Sequence, residues 1–248
     1  MIAIHHVTKT FGELVAVDDL DLTIPAGEFF AFIGPNGAGK TTTIKMITGL
    51  LAPSQGHITL CGHDVQDDYI AAKNVLSYVP DQPYIYDKLT GREFLQFIGR
   101  MYNLPSQQVE KEIESLSETF GLGSFLDELG ETYSHGMKQR VVIAAALLHD
   151  PDVLVVDEPL VGLDPRGANT LKKVFTDRAH QGTSIFMSTH TLSLAEEVAD
   201  RIGIIHEGRI ITLGGPTEIR KKAQTGGRLE EAFLRLTREV SSSRRSPT

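Results

Sequence analysis

Nine consecutive residues, GPNGAGKTT, are of the types needed to hold a polyphosphate. Gly34, Pro35, Asn36, Gly37, Ala38, Gly39, Lys40, Thr41 and Thr42 fit G-x-x-x-x-G-K-S/T, with Gly34, Gly39, Lys40 and Thr41 on the fixed positions. Glycines let the backbone curl until successive N–H groups point inward at phosphate oxygens. A helix starting at the end of such a loop adds partial positive charge. Lys40 is then placed to reach the β- and γ-phosphates, and the Thr41 hydroxyl to hold Mg²⁺. A second chemical stretch is DVLVVDEP, where four apolar residues precede Asp157 and Glu158. In open α/β sheets, ligands bind at the carboxyl ends of the strands. Asp157 would there ligand Mg²⁺ through water, and Glu158 would polarise the water that attacks the γ-phosphate. The two stretches together predict nucleoside triphosphate chemistry.

The flanking elements suit these roles. GEFFAFIG before the loop has strand length, and TTTIKMITGLL after it is apolar at helical spacing. Residues 2–8 and 20–24 read as strands, GHITLCG as another, and LSYVP as a short one ended by Pro80. From Thr90 the period becomes helical, through LTGREFLQFIGRMYNL, PSQQVEKEIESLSETFGL and GMKQRVVIAAALLHD. Roughly residues 85–150 are predicted to form a helical lobe inserted in an α/β protein. Strands and helices then alternate to the end, with a hairpin turning at Glu207 and Gly208. SSSRRSPT, residues 241–248, reads as a disordered tail after a single domain spanning 1–240.

The chain of 248 residues is 41% hydrophobic and 23% charged, which is ordinary for a globular protein. A net charge of −8 argues against a broad nucleic-acid surface. One cysteine, Cys61, excludes an internal disulfide and fits a reducing compartment. His57, Cys61, His63 and Asp64 resemble a metal cluster only on paper, because His63 lies past a turn and no second ligand pair follows. No segment has the apolar length of a membrane span, so the expectation is a soluble, cytoplasmic protein whose membrane role needs a partner.

The order of motifs resembles the nucleotide-binding subunit of an ABC transporter over nearly the whole chain. YSHGMKQR at 133–140 is similar to the family signature LSGGQ, GLDP at 162–165 to its D-loop, and STH at 188–190 to its switch-histidine segment. The resemblance implies a P-loop NTPase core with a mixed sheet, an N-terminal antiparallel β subdomain and an inserted α-helical lobe. It implies ATP and Mg²⁺ as ligands. Two ATPs would be sandwiched between two such subunits, identical or paralogous. Ser134 and the Gly136 N–H would reach the partner's γ-phosphate, Asp164 would couple the sites, and His190 would contact the γ-phosphate. Phe11 resembles the aromatic that stacks on adenine. Separate membrane-spanning permease subunits would hold the protein at the inner face of the membrane, through a groove lined by Phe94, Leu95, Phe97 and Tyr102.

Two positions depart from the family pattern. The signature here is Tyr-Ser-His-Gly-Met, and Asp81 followed by Gln82 stands where a glutamine is usual. Either Asp81, as a hard oxygen ligand for Mg²⁺, or Gln82 is a candidate for that role. YIYDKLTGREFL and LEEAFLRLT resemble the subfamily that exports drugs, antibiotics, peptides, polysaccharides or sodium. Two alternatives stand beside the transporter: a ribosome- or DNA-associated ABC ATPase, and a module that binds nucleotide without hydrolysing it. The first fits poorly with one cassette and no coiled coil, the second with Lys40, Asp157, Glu158 and His190 all present.

Overall fold

Alternating apolar residues in LVAVDDLDLTI lay down the first sheet. The structure, a computed structural model, describes residues 1–223 and the backbone of 229–243, with side chains to residue 237. Strands β1 (Ile2–Phe11) and β2 (Leu14–Ile24) form an antiparallel hairpin that turns at Gly12, where φ is +58°. Both run past the limits that alternation alone marks, because pairing continues through Thr10 with Val15 and Phe11 with Leu14. β4 (Gln55–Leu60) and the short β5 (His63–Asp64) complete a four-stranded sheet in the order β2-β1-β4-β5.

The second sheet has six strands: β3 (Phe29–Ile33), β6 (Leu76–Val79), β7 (Val153–Asp157), β8 (Ser184–Thr189), β9 (Arg201–His206) and β10 (Arg209–Gly214). Their order is β10-β9-β3-β8-β7-β6, parallel except for the β9–β10 hairpin, so the sheet is mixed. β3 is buried throughout, and its residues alternate between two cores. Phe29, Ala31 and Ile33 join the helical layer, whereas Phe30 and Phe32 face the antiparallel sheet and pack on Phe186 at 5.7 and 5.2 Å. Gly203 makes room for this, since a Cβ there would lie 2.7 Å from the Phe30 ring.

Helices α1 (Lys40–Ile47) and α2 (Tyr69–Asn74) lie early in the chain. Between β6 and β7 run α3 (Gly91–Met101), α4 (Ser106–Phe120), a 3₁₀ turn (Gly130–Thr132) and α5 (His135–Leu147). Thr90 and Glu93 form a capping box at α3, and Gly121 ends α4 with φ +63°. α6 (Pro165–His180), α7 (Leu192–Val198), α8 (Pro216–Lys222) and α9 (Leu229–Ser243) complete the fold. Positions 241–243, expected in a disordered tail, continue α9, and the rest of that tail lies outside the described residues. Among the described residues no helix is long and apolar enough to cross a membrane.

Candidate functional site

The phosphate loop joins β3 to α1. Gly39 precedes the helix with φ +113°, and a Cβ there would lie 2.7 Å from the Ala16 carbonyl oxygen. Gly34 is equally confined, because its Cβ would meet the Ile205 carbonyl and lie 2.8 Å from that residue's Cγ2. The loop is therefore wedged between the β1–β2 hairpin and β9, and only glycine fits at its two ends. The Lys40 ammonium donates to the carbonyls of Gly34 at 2.7 Å and Pro35 at 3.1 Å. Burial pulls the Lys40 pKa down, and the charges of Glu158 and Asp157 oppose that shift.

A cleft of about 620 Å³ opens over the loop. Asn36, Gly37, Gly39, Lys40, Thr41 and Thr42 line one side. Phe11, Leu14, Val15, Ala16 and Asp18 line the other, with Glu207 and Gly208 at the edge. Phe11 is 49% exposed, with the Lys9 ammonium 5.3 Å from its ring centre. An exposed aromatic face beside backbone N–H groups suits a base joined to phosphates.

Two carboxylates project at the end of β7. Asp157 is buried and accepts a hydrogen bond from the Ser188 hydroxyl on β8. Burial pushes its pKa up, the Ser188 hydroxyl opposes this, and the charges of Asp81 and Glu158 add to the rise. Glu158 follows with φ +48°, and its N–H donates to the Ser188 carbonyl at 3.0 Å. Both carboxylate oxygens have partners in the chain. Oε1 accepts from the His190 backbone N–H at 2.8 Å and pairs with His190 Nδ1 at 2.6 Å, while Oε2 accepts from the Thr189 hydroxyl at 3.2 Å. With Nδ1 donating, His190 presents Nε2 outward from a ring that is 65% exposed.

The oxygen donors Thr41, Asp157 and Asp81 are hard ligands of the kind Mg²⁺ prefers. Asp157 lies in the field of two further carboxylates, Asp81 and Glu158, with Lys40 the opposing charge, an arrangement that favours a bound cation. Among the described residues no three acidic, His or Cys side chains form a closed metal cage. That suits an ion held by one or two carboxylates and a hydroxyl together with phosphate oxygens and water.

The remaining predicted residues lie elsewhere. Ser134 caps α5, accepting the Met137 N–H at 3.3 Å, and is exposed. Gly136 sits in the first turn of that helix. Asp164 caps α6, accepting the Gly167 N–H at 2.6 Å. None of the three lines the cleft over Lys40. Asp81 and Gln82 are both exposed just beyond β6. A further hollow of about 230 Å³ is lined by Ser77, Tyr78, Pro80, Tyr84, Phe94, Ile98 and Tyr102, among others. Leu95 is instead fully buried in the core, and Phe97 is 40% exposed beside Tyr86.

Sequence reasoning missed three supporting residues. Ser188 and Thr189 hold the two carboxylates, and the signal was available in their position just before His190. Tyr133 is the third. Its buried hydroxyl accepts the Gly91 N–H at 3.0 Å and donates to the Phe125 carbonyl at 2.7 Å.

The family profile described as ABC transporter matches residues 17–161, more than half the chain. The chain belongs to the ABC transporter family. The linearmycin resistance ATP-binding protein of Bacillus subtilis is 34% identical over 97% of this chain and 80% of its own length. The bacitracin transport ATP-binding protein of Enterococcus faecalis is 35% identical over 90% of this chain and 71% of its own. The daunorubicin/doxorubicin resistance ATP-binding protein of Streptomyces peucetius is 37% identical over 86% and 65%. Among solved structures, an ATP-binding subunit of an ABC transporter superposes with TM-score 0.91 at 32% identity, covering 96% of this chain and 99% of that one. The dimeric cassette MJ0796 bound to ADP and Pi shares the fold, with TM-score 0.79 at 24% identity over 87% and 98%. This ABC protein is accordingly an ATP-binding subunit with the P-loop NTPase fold and an ATPase, related to drug- and antibiotic-resistance transporters.

Proposed function

We propose that two copies of this subunit, or one copy and a paralogue, close around two ATPs and reopen after hydrolysis, and that this cycle drives an exporter. The observation that carries the reading is the division of labour within one chain. Lys40, Asp157, Glu158 and His190 cluster by hydrogen bond or charge, whereas the donors Ser134 and Gly136 stand on an exposed helix start away from the cleft. A site so divided is completed by a second subunit.

The residues then take these parts. The loop N–H groups and Lys40 bind the β- and γ-phosphates, and Phe11 stacks on the base. Thr41, Asp157 and Asp81 would hold Mg²⁺, which when bound would neutralise phosphate charge. Gln82, next to Asp81, is the other candidate for contact with the metal or the attacking water. Glu158 takes the proton of the attacking water through its oxygens, and His190, fixed by Glu158, meets the γ-phosphate through Nε2. Lys40 releases the loop carbonyls to reach phosphate. Asp164, at the start of α6, couples the two sites.

Separate permease subunits hold the protein at the inner face of the membrane. The hollow beside α3, with Tyr84, Phe94, Ile98 and Tyr102, receives a short permease helix. Relatives named for resistance to linearmycin or daunorubicin and for bacitracin transport support export of an antibiotic-like compound. Glu158→Gln tests the core of this reading. It should bind ATP and form a stable dimer by size-exclusion chromatography, with steady-state hydrolysis lowered at least about a hundredfold. Near-normal hydrolysis would remove Glu158 from the base role.

A further inference from the structure

The signature here carries His135 where the family pattern has glycine, and the structure shows what this ring does. α5 begins at His135, and its first turn packs against the loop that runs from Glu158 to Asp164. A Cβ added at Gly162 would collide with the His135 ring and lie 2.9 Å from its Nε2. Gly162 has φ +80° and presents its open face to that ring. One residue on, a Cβ at Gly136 would lie 2.6 Å from the Gly162 carbonyl oxygen. One turn further, the buried Gln139 side chain donates to the Pro159 carbonyl at 3.1 Å. The helix that bears Ser134 is thus seated at three points on the loop that follows Glu158 within the same chain.

We propose that His135 is a positioning residue. Its ring, seated on Gly162, locks the Ser134/Gly136 donor pair to the subunit's own Glu158-to-Asp164 loop, so the two move as one piece. The consequence is directional. A subunit offers its donors to the partner's nucleotide while its own carboxylate acts on the nucleotide in its own cleft. A rigid link between donors and carboxylate loop makes the state of one site felt at the other. This inference rests on the two-subunit reading above.

A double-mutant cycle tests it on the full chain in the Glu158→Gln background, reading the ATP concentration for half-maximal dimerisation. Gly162→Ala carries backbone strain whatever its neighbour, because φ there is positive. That strain is common to both arms of the cycle and cancels. With His135 present, Gly162→Ala should raise the half-maximal ATP concentration about tenfold more than it does in the His135→Ala background, because the added methyl displaces the seated ring only where the ring is there. His135→Ala alone should weaken dimerisation while leaving single-subunit ATP binding and Tm unchanged, since the ring is exposed and outside the cleft. Equal costs of Gly162→Ala in both backgrounds would overturn the interlock. So would a fall in Tm with loss of cleft binding in His135→Ala, which would make His135 a residue of the fold. If the Glu158→Gln parent fails to dimerise with ATP at all, the two-subunit reading falls and takes the interlock with it. ATP-driven dimerisation with an additive cycle removes the interlock alone.

Discussion

Replacing Tyr133 by Phe deletes one oxygen atom from the centre of the helical layer, and the structure says which partner suffers. The hydroxyl accepts the Gly91 N–H and donates to the carbonyls of Phe125 at 2.7 Å and Leu126 at 3.3 Å. The carbonyls are insured: Phe125 O also accepts the Glu128 N–H at 2.9 Å, and Leu126 O the Arg92 N–H at 3.0 Å. Gly91 is not. It is the first residue of α3, where backbone N–H groups have no partner inside the helix, and it is buried. Tyr133→Phe therefore leaves one buried donor unsatisfied, at a cost of about 2 kcal/mol. For a chain of this size that lowers Tm by roughly 4–8 °C. Differential scanning calorimetry of the two proteins measures it. Because Tyr133 directly precedes Ser134, ATP-driven dimerisation should weaken as well, while ATP binding to the single subunit holds. A Tm within about 1 °C of the parent would refute the reasoning, since the N–H would then have found another partner at no cost.

Ser188→Ala removes the donor that stabilises the Asp157 carboxylate, and should raise the Mg²⁺ concentration for half-maximal ATPase activity about tenfold, with Mg²⁺-free nucleotide binding unaltered. Gly39→Ala places a methyl group against the Ala16 carbonyl at φ +113°, and should abolish binding of a fluorescent ATP analogue even where circular dichroism shows a folded chain. His149 stacks on Tyr102 at 3.5 Å, and burial pushes its pKa from the ordinary 6.5 down to about 4. A folded pKa below the unfolded one gives stability that is complete above pH 6.5 and is lost as pH falls through about 4. His149→Phe should flatten the fall of Tm across that window, and an unchanged acid limb would assign it to other groups.

Much of this site was legible because its residues announce themselves in short runs. The phosphate loop needs glycines at fixed offsets, and a strand as apolar as VLVV must be buried with its carboxylates at the edge. Their neighbours were less visible. Ser188 touches Asp157 only because β8 lies beside β7, and no local pattern specifies that adjacency. Tyr133 reads as a variant signature residue until its hydroxyl is seen joining two separated backbone segments, at Gly91 and at Phe125–Leu126. The hairpin ends are hidden from the sequence for a related reason: Phe11 and Leu14 are exposed, so burial does not mark them as strand, but pairing does. α2, a six-residue helix with one buried side chain, leaves almost no periodic trace in the sequence.

The strand that carries the phosphate loop has a particular history during synthesis. β3 is made within the first 33 residues, yet its sheet neighbours among the described residues are β8 and β9, which begin at Ser184 and Arg201. For some three-fifths of the chain's emergence, five consecutive apolar residues have no backbone partners for their N–H and C=O groups. A nascent chain that stops short of residue 184 has a complete GPNGAGKTT motif but lacks both strands that flank β3. Until those strands follow, an unpaired apolar segment of this kind is exposed to aggregation.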